Sequence, residues 1–111
     1  MVDLSLMKII FTDIARARLK DIYIYYKQEA SLKVAQSIKD NIIHEIAKLK
    51  KHPELGNEEV YLSKLKRGYR KLIIGNYKAI YRIIENTIVI DTIFDSRQEP
   101  KEMAKEIKKR K

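Results

Sequence analysis

The sequence predicts an α+β fold in the order β-α-α-β-β-β, a helical hairpin packed on one face of a small antiparallel or mixed sheet. Three observations predict it. Apolar residues recur at helical spacing from Ala15 to Tyr26 and again from Ala35 to Leu49. Past Gly68 the period drops to two, in three consecutive runs. A short strand-like run precedes both helices, so helices and strands are segregated rather than alternating. At 111 residues the chain reads as one domain over 1–111, able to bury roughly two thirds of the surface its unfolded form exposes. Residues 1–6 read as dispensable, with Met7 as an alternative start, and 101–111 as a basic tail.

Each element has a local cause. "MKIIFT", Met7 to Thr12, is a short β-branched run. Thr12 or Asp13 then offers a side-chain oxygen to the first amides of a helix, whose inner face is Ala15, Leu19, Ile22 and Tyr26. Ser31 is a second N-cap candidate, ahead of the stripe Ala35, Ile38, Ile42, Ile46 and Leu49 with Ile43 at its edge. Lys48, Lys50, Lys51 and His52 crowd its last turn, where cations complement the helix dipole. Pro53 cannot continue the helix and Gly56 is read as completing the stop. The strands expected next are Tyr69–Ile74, Tyr77–Ile84 and Thr87–Phe94. Gly75-Asn76 suits a two-residue hairpin loop with glycine first. Glu85-Asn86 is a second tight turn, with Asn86 expected to take any positive φ. "TIVIDTIF" is the most apolar strand, hence expected in the sheet's centre. Met103 and Ile107, four apart in the lysine-rich tail, suit a short helix.

The charge is uneven. Of a net +9, Val60–Ile84 contributes +7 without a single acid, and Lys101–Lys111 contributes +4. A near-neutral body with a basic stripe and a basic tail points to an anionic partner, against the plainer reading of a solvated, solubilising surface. No cysteine occurs, which excludes disulfides, thiolate metal sites and thiol nucleophiles and suits a reducing cytoplasm. No apolar run approaches the roughly 20 residues of a membrane span, and the N-terminus lacks the pattern of a signal peptide. His44 and His52 have no ligands at metal-binding spacing and the three glycines are isolated, so neither a metal site nor a phosphate loop is expected, and no cofactor.

Along Tyr77–Ile84 the side chains alternate. Tyr77, Ala79, Tyr81 and Ile83 suit a helix-covered core, and Lys78, Ile80, Arg82 and Ile84 an open face. Like charges on neighbouring strands destabilise by about 0.2–1 kcal/mol per pair, so a cationic open face must recover that energy from a partner or by reaching into water. Asp91 and Asp95, four apart on one strand, are expected on one face, either as a carboxylate pair or as charge balance for Arg82 or Arg97.

The β-α-α-β-β-β order, "HPELG" after the second helix, "GYRKLIIGNYKAIYRI" and the closing "IFDSRQEP" together resemble the RelE/ParE superfamily, toxins of type II toxin–antitoxin systems. The likeness runs over nearly the whole chain from Met7, and "GNYKAIYRI" followed by "DSRQEP" is most similar to the ParE-like branch. The resemblance implies a basic, cytoplasmic toxin, neutralised by a cognate antitoxin in a toxin–antitoxin hetero-oligomer, that causes growth arrest by inhibiting DNA gyrase. It implies Arg70, Lys71, Lys78, Arg82 and Arg97 as contacts to antitoxin or target. The alternative is a RelE-like ribosome-dependent endoribonuclease acting on mRNA, in which Lys71, Lys78, Arg82 and Arg97 hold the scissile phosphate. Two departures weigh against it: Met103 stands near the tyrosine some RelE-like enzymes use, and Asp95 stands about where many relatives have histidine. An aspartate titrating near 4 is almost wholly deprotonated at neutral pH and makes a poor general acid. A third reading is a non-toxic, basic nucleic-acid-binding module.

Overall fold

In the computed structural model, residues 7–98 and 100–109 are described. The expectations for residues 1–6 and for the last two lysine-rich positions of the tail fall outside them. The elements are β1 (Lys8–Phe11), α1 (Asp13–Glu29), α2 (Leu32–Ala47), β2 (Asn57–Glu58), β3 (Arg70–Ile74), β4 (Tyr77–Ile84), β5 (Thr87–Asp95) and α3 (Pro100–Lys108). Short 3-10 turns occupy Lys48–Lys50 and Val60–Leu65. The strands form one mixed sheet in the order β1-β5-β4-β3-β2, with β1 parallel to β5 and every other pair antiparallel. β5 is therefore interior, paired on both sides, while β4 holds the middle position. The two-residue β2 has no period to betray it in sequence.

Both helix starts follow from their caps. The Thr12 hydroxyl oxygen accepts from the Ala15 amide at 3.0 Å, and the Ser31 hydroxyl oxygen accepts from Val34 at 3.1 Å, each satisfying an amide with no partner inside the helix. Thr12 also donates to the Asp91 carbonyl at 2.8 Å, tying the start of α1 to β5. The hairpin buries Ala15, Ile22, Ile42, Ile46 and Leu49 against Leu72, Ile74, Tyr77, Ala79, Tyr81, Ile88, Ile90 and Ile93, with Leu19, Tyr26 and Ile38 packed around them. This is the core that the two helical stripes and the Tyr77-Ala79-Tyr81 alternation predict. Ile83 strays from it, since it is exposed, as is Ile43 at the stripe's edge, and Ala35 is buried outside this cluster.

Three local expectations are corrected. Gly56 does not serve as a helix stop. It is buried, its amide donates to the Tyr81 hydroxyl at 2.9 Å, and a Cβ there would stand 2.5 Å from the Lys71 carbonyl oxygen and 2.7 Å from the Tyr81 ring. The position needs glycine because two backbones and a tyrosine converge on it. In the β4–β5 turn, the positive φ falls on Glu85 (55°) and not on Asn86, whereas Gly75 (58°) takes it in the β3–β4 turn as expected. Both loops place the left-handed residue first, which suits the twist of a two-residue hairpin. The third correction concerns β5, where Ile80 pairs with Thr92 but Tyr81 pairs with Ile90, so Asp91 is an extra, bulged residue. The bulge breaks the alternation, and Asp91 and Asp95 end on opposite faces. Asp91 meets Arg82 on the far side of the sheet, while Asp95 lies opposite Tyr77.

The largest difference from expectation is the sheet's other face. It is not open. Leu62 from the 3-10 turn, Tyr69, Ile80 and Phe94 from the sheet, and Met103 and Ile107 from α3 form a second core, with Leu65 and Ala104 beside it. The tail's i, i+4 apolar pair is the reason: a helix with one narrow apolar stripe must bury it somewhere, and the hairpin already covers the front of the sheet.

Candidate functional site

The five cations expected at a binding face are dispersed by the fold. Lys78 lies on the back of β4 and is buried, and its ammonium donates to Glu59 Oε2 at 2.7 Å. Glu59 is fully buried and is held by its role as cap of the following 3-10 turn, its Oε1 accepting from the Tyr61 amide at 3.2 Å. The Tyr61 ring stands over the same ammonium, 5.9 Å from its centroid. Arg82, four residues on, makes a forked pair with Asp91 at 2.9 and 3.0 Å and stacks 5.2 Å from the Tyr69 ring centroid. Its hydrogen bonds to Asp91 raise the guanidinium above its ordinary pKa, against the opposing effect of burial. The bulge at Asp91 makes this fork possible, because it turns an extra carboxylate onto the back face. The expected open cationic face is thus corrected: Lys78 and Arg82 are internal ion pairs bordered by the 3-10 turn and the back-face core.

Arg70 is partly buried and donates to the Gly56 carbonyl at 2.6 Å, clamping the loop ahead of β2. Lys71 is half-buried on β3, opposite Asn57 and Ile80. Arg97 follows β5, where its Nε and Nη2 donate to Asp95 at 2.9 and 2.7 Å and its amide to Asp95 Oδ1 at 2.9 Å. Those bonds hold the Asp95 carboxyl below its usual value and raise Arg97 above its own. The charge-balance reading of both aspartates is the one the geometry bears out.

Arg97 borders a concavity of about 1350 Å³ that runs between α1 and α3 past the end of β5. Ile22, Tyr25, Ile93 and Phe94 supply apolar lining, and the cations Arg18, Arg97, Lys105 and Lys109 are balanced by Asp21, Asp95, Glu102 and Glu106. Arg18 bridges it, donating to Glu106 of α3 at 2.6 Å, while Thr92 of β5 donates to the same carboxylate at 3.2 Å. At the floor, the Tyr77 hydroxyl donates to Tyr26 at 3.4 Å, and burial foremost pushes the Tyr77 phenol well above its ordinary pKa. A phenol held that far up makes Tyr77 a poor general acid at neutral pH.

Sequence reasoning missed Glu59 and Glu106, two of the three acids, with Asp91, that tie the back layer. Glu59 had a signal: it is the last acid before an acid-free run of seven cations. Glu106 had none, since its partners lie 88 and 14 residues away. His44 and His52 are both exposed, on α2 and just after the 3-10 turn Lys48–Lys50. Among the described residues, no three His, Asp or Glu side chains converge as a metal site, and no helix is long and apolar enough to cross a membrane.

Residues 9–100 match the family model described as the ParE toxin of the type II toxin–antitoxin system parDE. Among solved structures, the fold is similar to a chain of the chromosomal ParDE toxin–antitoxin system from P. aeruginosa. The TM-score is 0.69 at 22% identity, covering 82% of this chain and 97% of that one. None of the curated proteins matches the sequence.

Proposed function

The chain belongs to the ParE toxin family of type II toxin–antitoxin systems, and on that footing we propose that it is a cytoplasmic toxin that arrests DNA gyrase by binding and is neutralised by a cognate antitoxin. One observation carries the choice of a binding mechanism over RNA cleavage. The four cations that a ribonuclease reading needs around one phosphate do not converge. Lys78 and Arg82 are consumed by Glu59 and Asp91, Lys71 lies on β3, and Arg97 faces the α1–α3 concavity. Stabilising a phosphorane-like transition state demands donors aimed at one point, together with a group that moves a proton. This site supports neither requirement.

The antitoxin is assigned to the concavity between α1 and α3. Its apolar lining, with charges that are mutually balanced because Arg18, Arg97 and Lys105 pair with Glu106, Asp95 and Glu102, suits a segment with apolar anchors, the pattern of a helix or strand laid in a groove. Expression of the chain alone should arrest growth, relax plasmid DNA and leave translated messages intact, with purified toxin blocking supercoiling by gyrase. Cuts in mRNA with unaltered supercoiling would replace this reading by the endoribonuclease. Substituting Arg97→Glu should weaken antitoxin capture in a co-purification assay; unaltered capture would move the antitoxin off this groove.

A further inference from the structure

The fold leaves a second group of cations that neither internal pairing nor the α1–α3 concavity accounts for. At the end of the 3-10 turn Val60–Leu65 and in the loop to β3, Lys64, Lys66 and Arg67 are exposed, with Lys71 half-buried on β3 just beyond. Among the described residues none of these four makes an ion pair within 4 Å, while Lys78 and Arg82 from the same acid-free run are neutralised inside. The separation is built into the backbone. Leu62 and Tyr69 anchor either end of the segment in the second core, and Lys66 (φ 53°) and Gly68 (φ 72°) are both left-handed. A tight turn pinned at both ends therefore holds three cations out in solvent.

We propose that this turn, Lys64, Lys66 and Arg67 with Lys71, contacts the phosphate backbone of duplex DNA. The composition selects the partner. Protein–protein interface cores are depleted in lysine and need apolar anchors; the exposed apolar side chains of this turn, Val60 and Tyr61, lie at its start, whereas Lys66 and Arg67 are flanked by half-buried Leu65 and exposed Gly68. Nucleic-acid interfaces are strongly cationic and polar, and duplex DNA presents one charge per roughly 1.7 Å of its axis. Single strands call for stacked aromatic rings, and the nearest exposed ring, Tyr61, already lies against Lys78. The partner is thus read by charge alone, without base contacts, and the interaction is independent of whether gyrase is the toxin's target.

The test is fluorescence anisotropy of a labelled 20-base-pair duplex titrated with the intact chain at several salt concentrations. Four phosphate contacts predict a log–log salt slope of about −3.6, an affinity loss of about 150-fold between 50 and 200 mM. The Lys64→Gln/Lys66→Gln/Arg67→Gln variant should bring the slope to about −0.9 with an unchanged melting curve. The single Arg67→Gln should remove about one quarter of it. Replacing Lys101 and Lys108 by Gln is the control and should leave the slope as it was. The proposal fails if the loop variants keep the wild-type slope, if the tail variant abolishes binding, if no binding occurs at 50 mM salt, or if single-stranded DNA, RNA or polyglutamate competes as well as the duplex.

Discussion

Ile42 and Ile107 are the same side chain at the same depth, each 1% exposed, on opposite faces of one sheet. They hold down very different layers. Ile42 belongs to a hairpin of two helices, 17 and 16 residues long, packed on four strands. Ile107 belongs to a nine-residue helix whose buried anchors are itself and Met103. The front layer rests on apolar area. The back layer has a small core supplemented by polar ties, namely Lys78–Glu59, Arg82–Asp91 and Arg18–Glu106. A small layer can cover a cationic strand only if the charges beneath it are paired, and this one brings its acids from elements that the strand's own sequence does not announce.

The buried pair gives the largest expected effect. Glu59→Ala leaves the Lys78 ammonium without a counter-charge in the interior, at a cost of about 3–5 kcal/mol in chemical denaturation. The Glu59→Leu/Lys78→Met double variant, which removes both charges, should restore most of that loss, since replacing a buried ion pair by packed apolar groups is often neutral or stabilising. A Glu59→Ala loss below about 1 kcal/mol, the value of an exposed pair, would mean that the back face opens readily and lets Lys78 reach water.

The two isoleucines sharpen the comparison one step lower. Ile42→Ala should cost about 2–5 kcal/mol of global stability, from lost transfer energy and the cavity left behind. For Ile107→Ala the transfer loss is similar, but the global penalty cannot exceed the free energy with which α3 is docked, because the helix can leave without unfolding the sheet. We expect a smaller shift in denaturation midpoint than for Ile42→Ala, with faster amide exchange confined to Pro100–Lys108 and the Val60–Leu65 turn. Equal midpoint shifts with uniform exchange would show that the two faces fold as one unit.

The same contrast explains what the sequence made legible. The front layer was readable because its signals are periodic: the stripes Ala15–Tyr26 and Ala35–Leu49 and the alternation Tyr77-Ala79-Tyr81 each state a face by themselves. The back layer was not, for two reasons. Its core draws residues from five separated places, Leu62, Tyr69, Ile80, Phe94 and the Met103–Ile107 pair, and no window contains enough of them to show the layer. A bulge is likewise invisible to an alternation count, and Asp91 changes face because of one. For the candidate site, residue type alone marked Lys78 and Arg82 as surface cations; their partners Glu59 and Asp91 convert them into structure. Lys64, Lys66 and Arg67 kept the exposure that their type implies.

The smallest effect is expected where a polar tie lies in solvent. The Asp95–Arg97 fork matches the geometry of Arg82–Asp91, yet Arg97 is 57% exposed against 24% for Arg82. Hydrogen bonds from Arg97 hold the Asp95 carboxyl below its ordinary value of 3.8, so the folded state favours the ionised form more than the unfolded state does. That contribution is complete above the unfolded pKa and is lost as pH falls through the folded one. Asp95→Asn should therefore leave the melting temperature almost unchanged in high salt at neutral pH. Any difference from wild type should vanish in the acid limb, below the carboxylate range. Arg82→Gln should remain destabilising at neutral pH in high salt, because its partner Asp91 is buried and screening by ions reaches it poorly. If Asp95→Asn and Arg82→Gln respond alike to salt, the exposure difference between the two forks is without energetic meaning, and the distinction between a structural back face and a solvent-facing groove loses its electrostatic support.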